Sequence, residues 1–482
     1  MKFTNPVIRG LYPDPSVCKK DGKFYLVCSS FEYFPGVPLF ESTDLVNWTQ
    51  IANIIPSAEI VDCADCDESG GIFAVTIRFH AGKFFIITTA FTKRGLKNFF
   101  MTATDARGKW SAPIFLDIDG IDPSLFFDGG KTYVEYTSWG EIRQVEIDAE
   151  TGKILKKPTI ISHGCGCKYA EGPHIFRRGD FYYLLLAEGG TESGHHETIL
   201  RSHSVWGPFE PSPHNPVISN VNKPHEILQC VGHADYIEDE SGAGYLVCLG
   251  SRVKNHKPLL GRETLLSRAE WTADGWLKAI DGFAKNKDET IFEGEQKKRG
   301  AITLENAQDF PLEFVSPHGL QKNLARFSGG ELAIRGNSHF IGEKETPALF
   351  LIRQREFDFS LSAEVRAESD GIEAGLVAML DSEHYFSLCV KNGAISLVKR
   401  VDDLKCEEIF PISAMSAALF IEGNEKEYSF FAQIDGEKKL LGKSKCKHLS
   451  TFCADSANTG AMLGIYAGGT GESFFRHFVY RD

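Results

Sequence analysis

At 482 residues the chain exceeds what one hydrophobic core usually organises, so two domains are expected. A net charge of −13 and the lack of any Lys/Arg-rich stripe argue against the basic surface that phosphate binding requires, and no apolar run approaches the roughly 18 residues of a membrane span. A nucleic acid and a membrane are therefore not expected partners, whereas a small, neutral or polar substrate fits.

The opening Met1-Lys2-Phe3-Thr4-Asn5-Pro6 lacks an apolar signal stretch, and a cytoplasmic location is expected. In that setting the 12 cysteines read as reduced thiols rather than as a disulfide framework. Cys28, Cys248 and Cys389 fall inside apolar strands. Cys63 and Cys66 with Cys165 and Cys167 are the one grouping resembling a zinc site, but the second spacing is poor for a zinc knuckle, and buried free thiols are the preferred reading. The 36 Phe, 14 Tyr and 46 Gly favour many short strands joined by tight turns, an all-β protein.

Five copies of one hairpin pattern follow in chain order: a polar start, an apolar strand, a glycine turn and an aromatic-rich strand. They begin at Asp14 (turn at Gly22), Ala74 (Gly82), Asp122 (Gly130), Glu171 (Gly179) and His233 (Gly242). Turn glycines about 50 to 60 residues apart suit the four-stranded blades of a five-bladed β-propeller. In four copies the first residue lies eight before the turn glycine, and three of those four are carboxylates. Equivalent ends of the inner strands face a common axis, so Asp14, Asp122 and Glu171 are expected to meet there. Acids that merely cap turns are the plainer alternative, but three in phase, two of them within Asp-Pro-Ser, favour a functional cluster.

Like charges crowded in an enclosed channel drive pKa values apart, so that one carboxyl stays protonated while another is ionised. Glycoside hydrolysis requires such a pair. No convincing metal-ligand spacing, Gly-x-Ser-x-Gly elbow or phosphate-cradling loop competes with it. Phe31, Tyr33, Phe34, Phe73 and Trp139 flank the repeats and suit the apolar faces of sugars, although core packing explains any single one of them as well.

These residues resemble glycoside hydrolase family 43, of the two-domain β-xylosidase and α-L-arabinofuranosidase type. The resemblance rests on Tyr12-Pro13-Asp14-Pro15-Ser16, Ser30-Phe31-Glu32-Tyr33-Phe34-Pro35-Gly36, Ala170-Glu171-Gly172-Pro173-His174, Ala187-Glu188-Gly189-Gly190-Thr191, Gly232-His233-Ala234-Asp235 and Gly261-Arg262-Glu263-Thr264. It implies an inverting mechanism with Asp14 as general base, Glu171 as general acid and Asp122 tuning the acid. It further implies substrate-pocket roles for Phe31, Phe73, Trp139, Thr191, His233 and Arg262. No required cofactor is implied, with room left for a structural calcium ion near the propeller axis. Glu188 is the rival general acid, ranked below Glu171 because it falls outside the repeat phase. Gly71-Ile72-Phe73-Ala74-Val75-Thr76 departs from the family's Gly-Ile-Trp-Ala-Pro-Thr, replacing an indole by a smaller ring and losing a stiffening proline.

The propeller is expected over residues 1–290, and the charged stretch Lys285–Arg299 reads as a solvated linker. Strict alternation at Phe357, Phe359, Leu361, Ala363 and Val365, and again at Phe386, Leu388 and Val390, predicts a C-terminal β-sandwich over 305–482. Met462 falls where the resembled enzymes often place a Phe that closes the pocket.

The leading functional reading is an exo-acting β-1,4-xylosidase that releases xylose from the non-reducing end of short xylo-oligosaccharides. An α-L-arabinofuranosidase is the nearest rival, and a non-catalytic sugar-binding propeller is the alternative of another class. The expected partner is a small oligosaccharide, with homo-oligomerisation left open.

Overall fold

The computed structural model describes residues 3–255, 257–288, 295–412, 414–454 and 458–482. They divide into two compact units, one drawn mainly from residues 1–297 and the other mainly from 298–482.

The first unit is built from five antiparallel sheets, each drawn from one stretch of the chain. Blade I comprises Ser16–Lys20, Lys23–Val27, Gly36–Ser42 and Thr49–Ile55. Blade II comprises Gly71–His80, Lys83–Thr92, Gly95–Ala103 and Ile114–Leu116, and blade III Ile121–Asp128, Lys131–Ser138, Glu141–Ile147 and Ile154–Ser162. Blade IV starts with Glu171–Arg178, Phe181–Glu188 and His196–Ser202, and blade V comprises Leu228–Glu238, Gly244–Arg252, Glu263–Trp271 and Leu277–Ala279. The innermost strand of each blade packs on that of the next, and the fifth returns to the first, closing a five-bladed propeller.

Each inner hairpin turns at a residue with positive φ, which is why glycine ends every copy of the repeat: Gly22, Gly82, Gly130, Gly179 and Gly242 lie at φ between 58 and 82°. Apolar side chains from facing blades fill the gaps between sheets. Phe85 and Ile87 of blade II meet Leu125, Val134 and Val145 of blade III, while Val247 and Leu266 of blade V meet Val17 and Leu26 of blade I. The segment before blade I reinforces the closure, since Val7 and Tyr12 donate to Thr264 and Arg262 of blade V.

The second unit is a β-sandwich. Its larger sheet has Phe359–Ala367 between Glu472–Arg481 and Ser416–Gly423, and its six-stranded sheet has Ile372–Met379 between Met462–Gly469 and His384–Lys391. Phe357, Phe359, Leu361, Ala363 and Val365 pack with Phe386, Leu388 and Val390 in one core. Met462 is fully buried in this unit, paired with Met379.

The charged stretch is less free than a solvated linker. Lys287 and Asp288 pair with Thr4 and Phe3, and the Gln296 side chain bonds both backbone groups of Thr4. Residues 289–294, at the expected domain boundary, lie outside the described residues.

Candidate active site

The inner strands of blades II to V carry the same irregularity near the axis. Ile121 pairs with Thr137 and Ser124 with Glu135, so two residues, Asp122 and Pro123, oppose one. The same bulge sets Phe73-Ala74 between Ile72 and Val75, Gly172-Pro173 between Glu171 and His174, and His233-Ala234 between Gly232 and Asp235. In blade I, Asp14-Pro15 immediately precedes the paired Ser16. Asp14, Asp122, Gly172 and His233 all take left-handed φ, of 53, 53, 56 and 50°. For the three residues with a Cβ this conformation is strained, and the surrounding ladders hold it.

Glu171 is thus the paired residue just before its bulge, one position earlier than Asp122, the first bulged residue of blade III, and than Asp14, two before the first paired residue of blade I. The position equivalent to Asp122 is Gly172, where a Cβ would fall 2.8 Å from Cδ2 and Nε2 of His233. Blade IV yields that space to the neighbouring imidazole, and the Gly172 N–H donates to Oδ2 of Asp122 at 3.1 Å.

Asp14 is 5% exposed and accepts from Ser29 Oγ at 2.6 Å, with Arg262 Nη1 at 3.3 Å and His233 Nδ1 at 3.4 Å. Burial alone would raise it, but Arg262, His233 and Ser29 together outweigh burial and hold it well below the usual carboxylate range. Glu171 goes the other way. Burial first, then the charge of Asp122, pushes it up to about 7. Asp122 is itself raised by burial, an effect that His233 opposes and Asp14 reinforces. His233 would be lowered by burial, yet its contact with Asp14 and the charges of Asp122 and Glu197 push it up to about 9. The site therefore sets a carboxyl held low, Asp14, beside two pushed up, Glu171 and Asp122, and an imidazole pushed up, an arrangement fit for general acid and base chemistry.

Arg262 also lies 5.5 Å from the ring centroid of Phe31, which meets Phe73 edge-on at 5.8 Å. Phe31 is locked into the bulge of blade II through paired backbone bonds to Ile72. Trp139, 94% exposed, caps the hairpin of blade III two residues past Thr137, at the Asp122 end of the strand. Thr191 is exposed in the loop after Glu188. Glu188 is fully buried, accepting from Cys165 N at 2.9 Å and Thr198 Oγ1 at 2.8 Å.

A family model described as glycosyl hydrolases family 43 matches residues 3–277, and one described as the beta xylosidase C-terminal concanavalin A-like domain matches 306–481. The chain belongs to glycosyl hydrolase family 43. Among similar family 43 proteins, the non-reducing end alpha-L-arabinofuranosidase BoGH43B of Bacteroides ovatus is 34% identical, the alignment covering 98% of this chain and 92% of that one. The beta-xylosidase of Bacillus subtilis is 35% identical over the full length of both. The solved structure titled Bacteroides ovatus Xyloglucan PUL GH43B superposes with a TM-score of 0.94 at 32% identity, covering 100% of both chains. This chain is accordingly a glycoside hydrolase.

Sequence reasoning missed the residues beneath the carboxylates. Arg78, Asp235 and His174 are joined there, and burial pushes Glu135 and Glu197 up to about 8. A signal was present in the repeat itself, because Ser16, His174 and Asp235 each stand two residues beyond the first bulged position. None of the 12 cysteines is in a disulfide, and among the described residues no group of three or more His, Cys, Asp or Glu side chains is placed to hold a metal.

Proposed function

We propose that this family 43 enzyme is an inverting, exo-acting β-1,4-xylosidase that removes xylose from the non-reducing end of short xylo-oligosaccharides. Asp14 activates water as the general base, Glu171 protonates the departing glycosidic oxygen, and Asp122 keeps that proton on Glu171 near neutrality. The observation that carries this reading is the contrast in surroundings within one site: Ser29, Arg262 and His233 contact Asp14 and hold it low, whereas burial and the neighbouring Asp122 push Glu171 up. Phe31 and Phe73 supply an apolar wall, Trp139 and Thr191 line the entrance, and His233 and Arg262 hold Asp14 and offer hydrogen bonds to sugar hydroxyls. Cysteines without disulfides, several of them buried, suit action in the reducing cytoplasm on imported oligosaccharides.

A second reading, α-L-arabinofuranosidase, is favoured by the name of the Bacteroides ovatus relative and by Phe73, whose ring leaves more room than an indole. Hydrolysis of 4-nitrophenyl β-D-xylopyranoside and 4-nitrophenyl α-L-arabinofuranoside by wild type and Glu171→Ala separates the two. The faster substrate names the activity. Wild-type hydrolysis that survives in Glu171→Ala removes Glu171 from the mechanism.

A further inference from the structure

A second layer of buried polar groups lies directly beneath the three carboxylates. Ser16, His174 and Asp235 occupy the same place in blades I, IV and V, the first paired residue after the bulged positions. Arg78, on the inner strand of blade II, reaches all three. Its Nη1 donates to Asp235 Oδ2 at 2.7 Å and to Ser16 Oγ at 3.1 Å, and its Nη2 donates to Asp235 Oδ1 at 3.2 Å and lies 3.2 Å from His174 Nδ1. The Ser16 hydroxyl donates to Asp235 at 2.7 Å and accepts from Ile77 N at 3.1 Å. One guanidinium thus joins four blades, and Thr76 of the same strand bonds Pro123 of blade III at 3.1 Å.

Asp235 and His174 are each 3% exposed. Burial pushes His174 down to about 3, so its neutral ring accepts from Arg78 through Nδ1 and keeps its proton on Nε2. Ser16 stands two residues after Asp14, and His174 three after Glu171. The guanidinium therefore anchors the strand segments that set both carboxylates.

The same layer bears on the calcium ion for which the family resemblance leaves room. Calcium takes six to eight oxygen ligands, and two of the carboxylates at the axis are already turned to other cations. Asp235 faces Arg78 with both oxygens, and Asp14 faces Arg262 and His233. His174 turns a ring nitrogen to a guanidinium. These donors do not fit a calcium ion.

We infer that Arg78 is the resident cation of the propeller axis, a positioning residue that holds the strand segments carrying Asp14 and Glu171 in register and makes the enzyme independent of divalent metal. Removing it leaves Asp235 a buried carboxylate without its cation, and Ser16 and His174 without a shared donor.

The inference rests on the roles proposed for Asp14 and Glu171, so Glu171→Gln is assayed beside wild type, Arg78→Ala and Arg78→Lys. All are dialysed against EDTA and tested on whichever aryl glycoside the wild type cleaves, with and without calcium chloride or guanidinium chloride. Wild type is expected to keep its turnover through EDTA and to gain nothing from calcium. Arg78→Ala is expected to lose about 100-fold in kcat, the cost of a small misplacement of reacting groups, with KM nearly unchanged and kcat partly restored by guanidinium. Arg78→Lys is expected to fall between the two. A folded Arg78→Ala with wild-type kcat, while Glu171→Gln is dead, overturns this inference alone; full activity in Glu171→Gln overturns the proposed roles as well. Should Arg78→Ala fail to fold, the wild-type arm still decides, because activity lost to EDTA and regained with calcium contradicts a resident cation.

Discussion

The backbone N–H of Gly172 donates to Oδ2 of Asp122 at 3.1 Å, so the residue following one carboxylic acid fixes the neighbouring blade's carboxylate. Glu171 and Asp122 are linked through this peptide, and the linkage works only because position 172 has no side chain. Its φ of 56° and the His233 ring, 2.8 Å from where a Cβ would stand, both demand glycine. Gly172→Ala is therefore expected to destabilise the fold by about 1–3 kcal/mol and to depress kcat, read from urea unfolding and steady-state kinetics on the same preparation.

The proton inventory sets the pH profile. With Glu171 raised to about 7, kcat/KM is expected to hold below that pH and to fall as pH rises through it, because the proposed general acid loses its proton. Asp122→Asn removes a negative charge beside Glu171, so its pKa drops and the basic limb moves to lower pH. Glu171 and Asp122 interact strongly enough that the limb belongs to the pair, and the shift between the two profiles is the quantity to measure. An unmoved limb in Asp122→Asn contradicts its tuning role.

Arg262 governs the opposite limb. It faces Asp14 at 3.3 Å, and its loss in Arg262→Ala raises the Asp14 pKa, so the acid-side decline of kcat/KM is expected at higher pH than in wild type. At neutral pH Asp14 is still ionised in the variant, and the loss there reports substrate contacts instead. Comparing kcat/KM at pH 4 and pH 7 separates the two effects.

Much of this arrangement was legible in the sequence, and the part that was not has a definite cause. Counting back from the turn glycine aligned Glu171 with Asp14 and Asp122, whereas the ladders align Gly172 with them. The turn of blade III is Gly129-Gly130 and that of blade IV is Gly179-Asp180, so the counted glycine stands second in one and first in the other. Aligning instead on the prolines of Asp14-Pro15, Asp122-Pro123 and Gly172-Pro173 recovers the register. Phe73, rather than Ala74, holds the corresponding place in blade II. The same alignment brings Ser16, His174 and Asp235 of the layer below into phase, but not Arg78, which stands three residues beyond the paired Val75 of blade II and so outside that phase.

Glu188 offers a control for the choice of general acid. Its buried oxygens hold the Cys165 N–H and the Thr198 hydroxyl, so Glu188→Gln turns a donor toward a donor and is expected to cost about 1–3 kcal/mol of stability. The basic limb near pH 7 should stay where it is. A limb that moves in Glu188→Gln but not in Asp122→Asn would transfer the acid's role to Glu188.

The central claim is that Asp14 directs water onto the anomeric carbon while Glu171 protonates the leaving oxygen from the opposite side. Proton NMR of the anomeric region during hydrolysis of a β-xyloside, recorded before mutarotation proceeds, tests it most directly. Inversion predicts that α-xylose appears first and β-xylose grows in later; β-xylose as the first product would contradict the account, because it requires a covalent intermediate on one of the carboxylates.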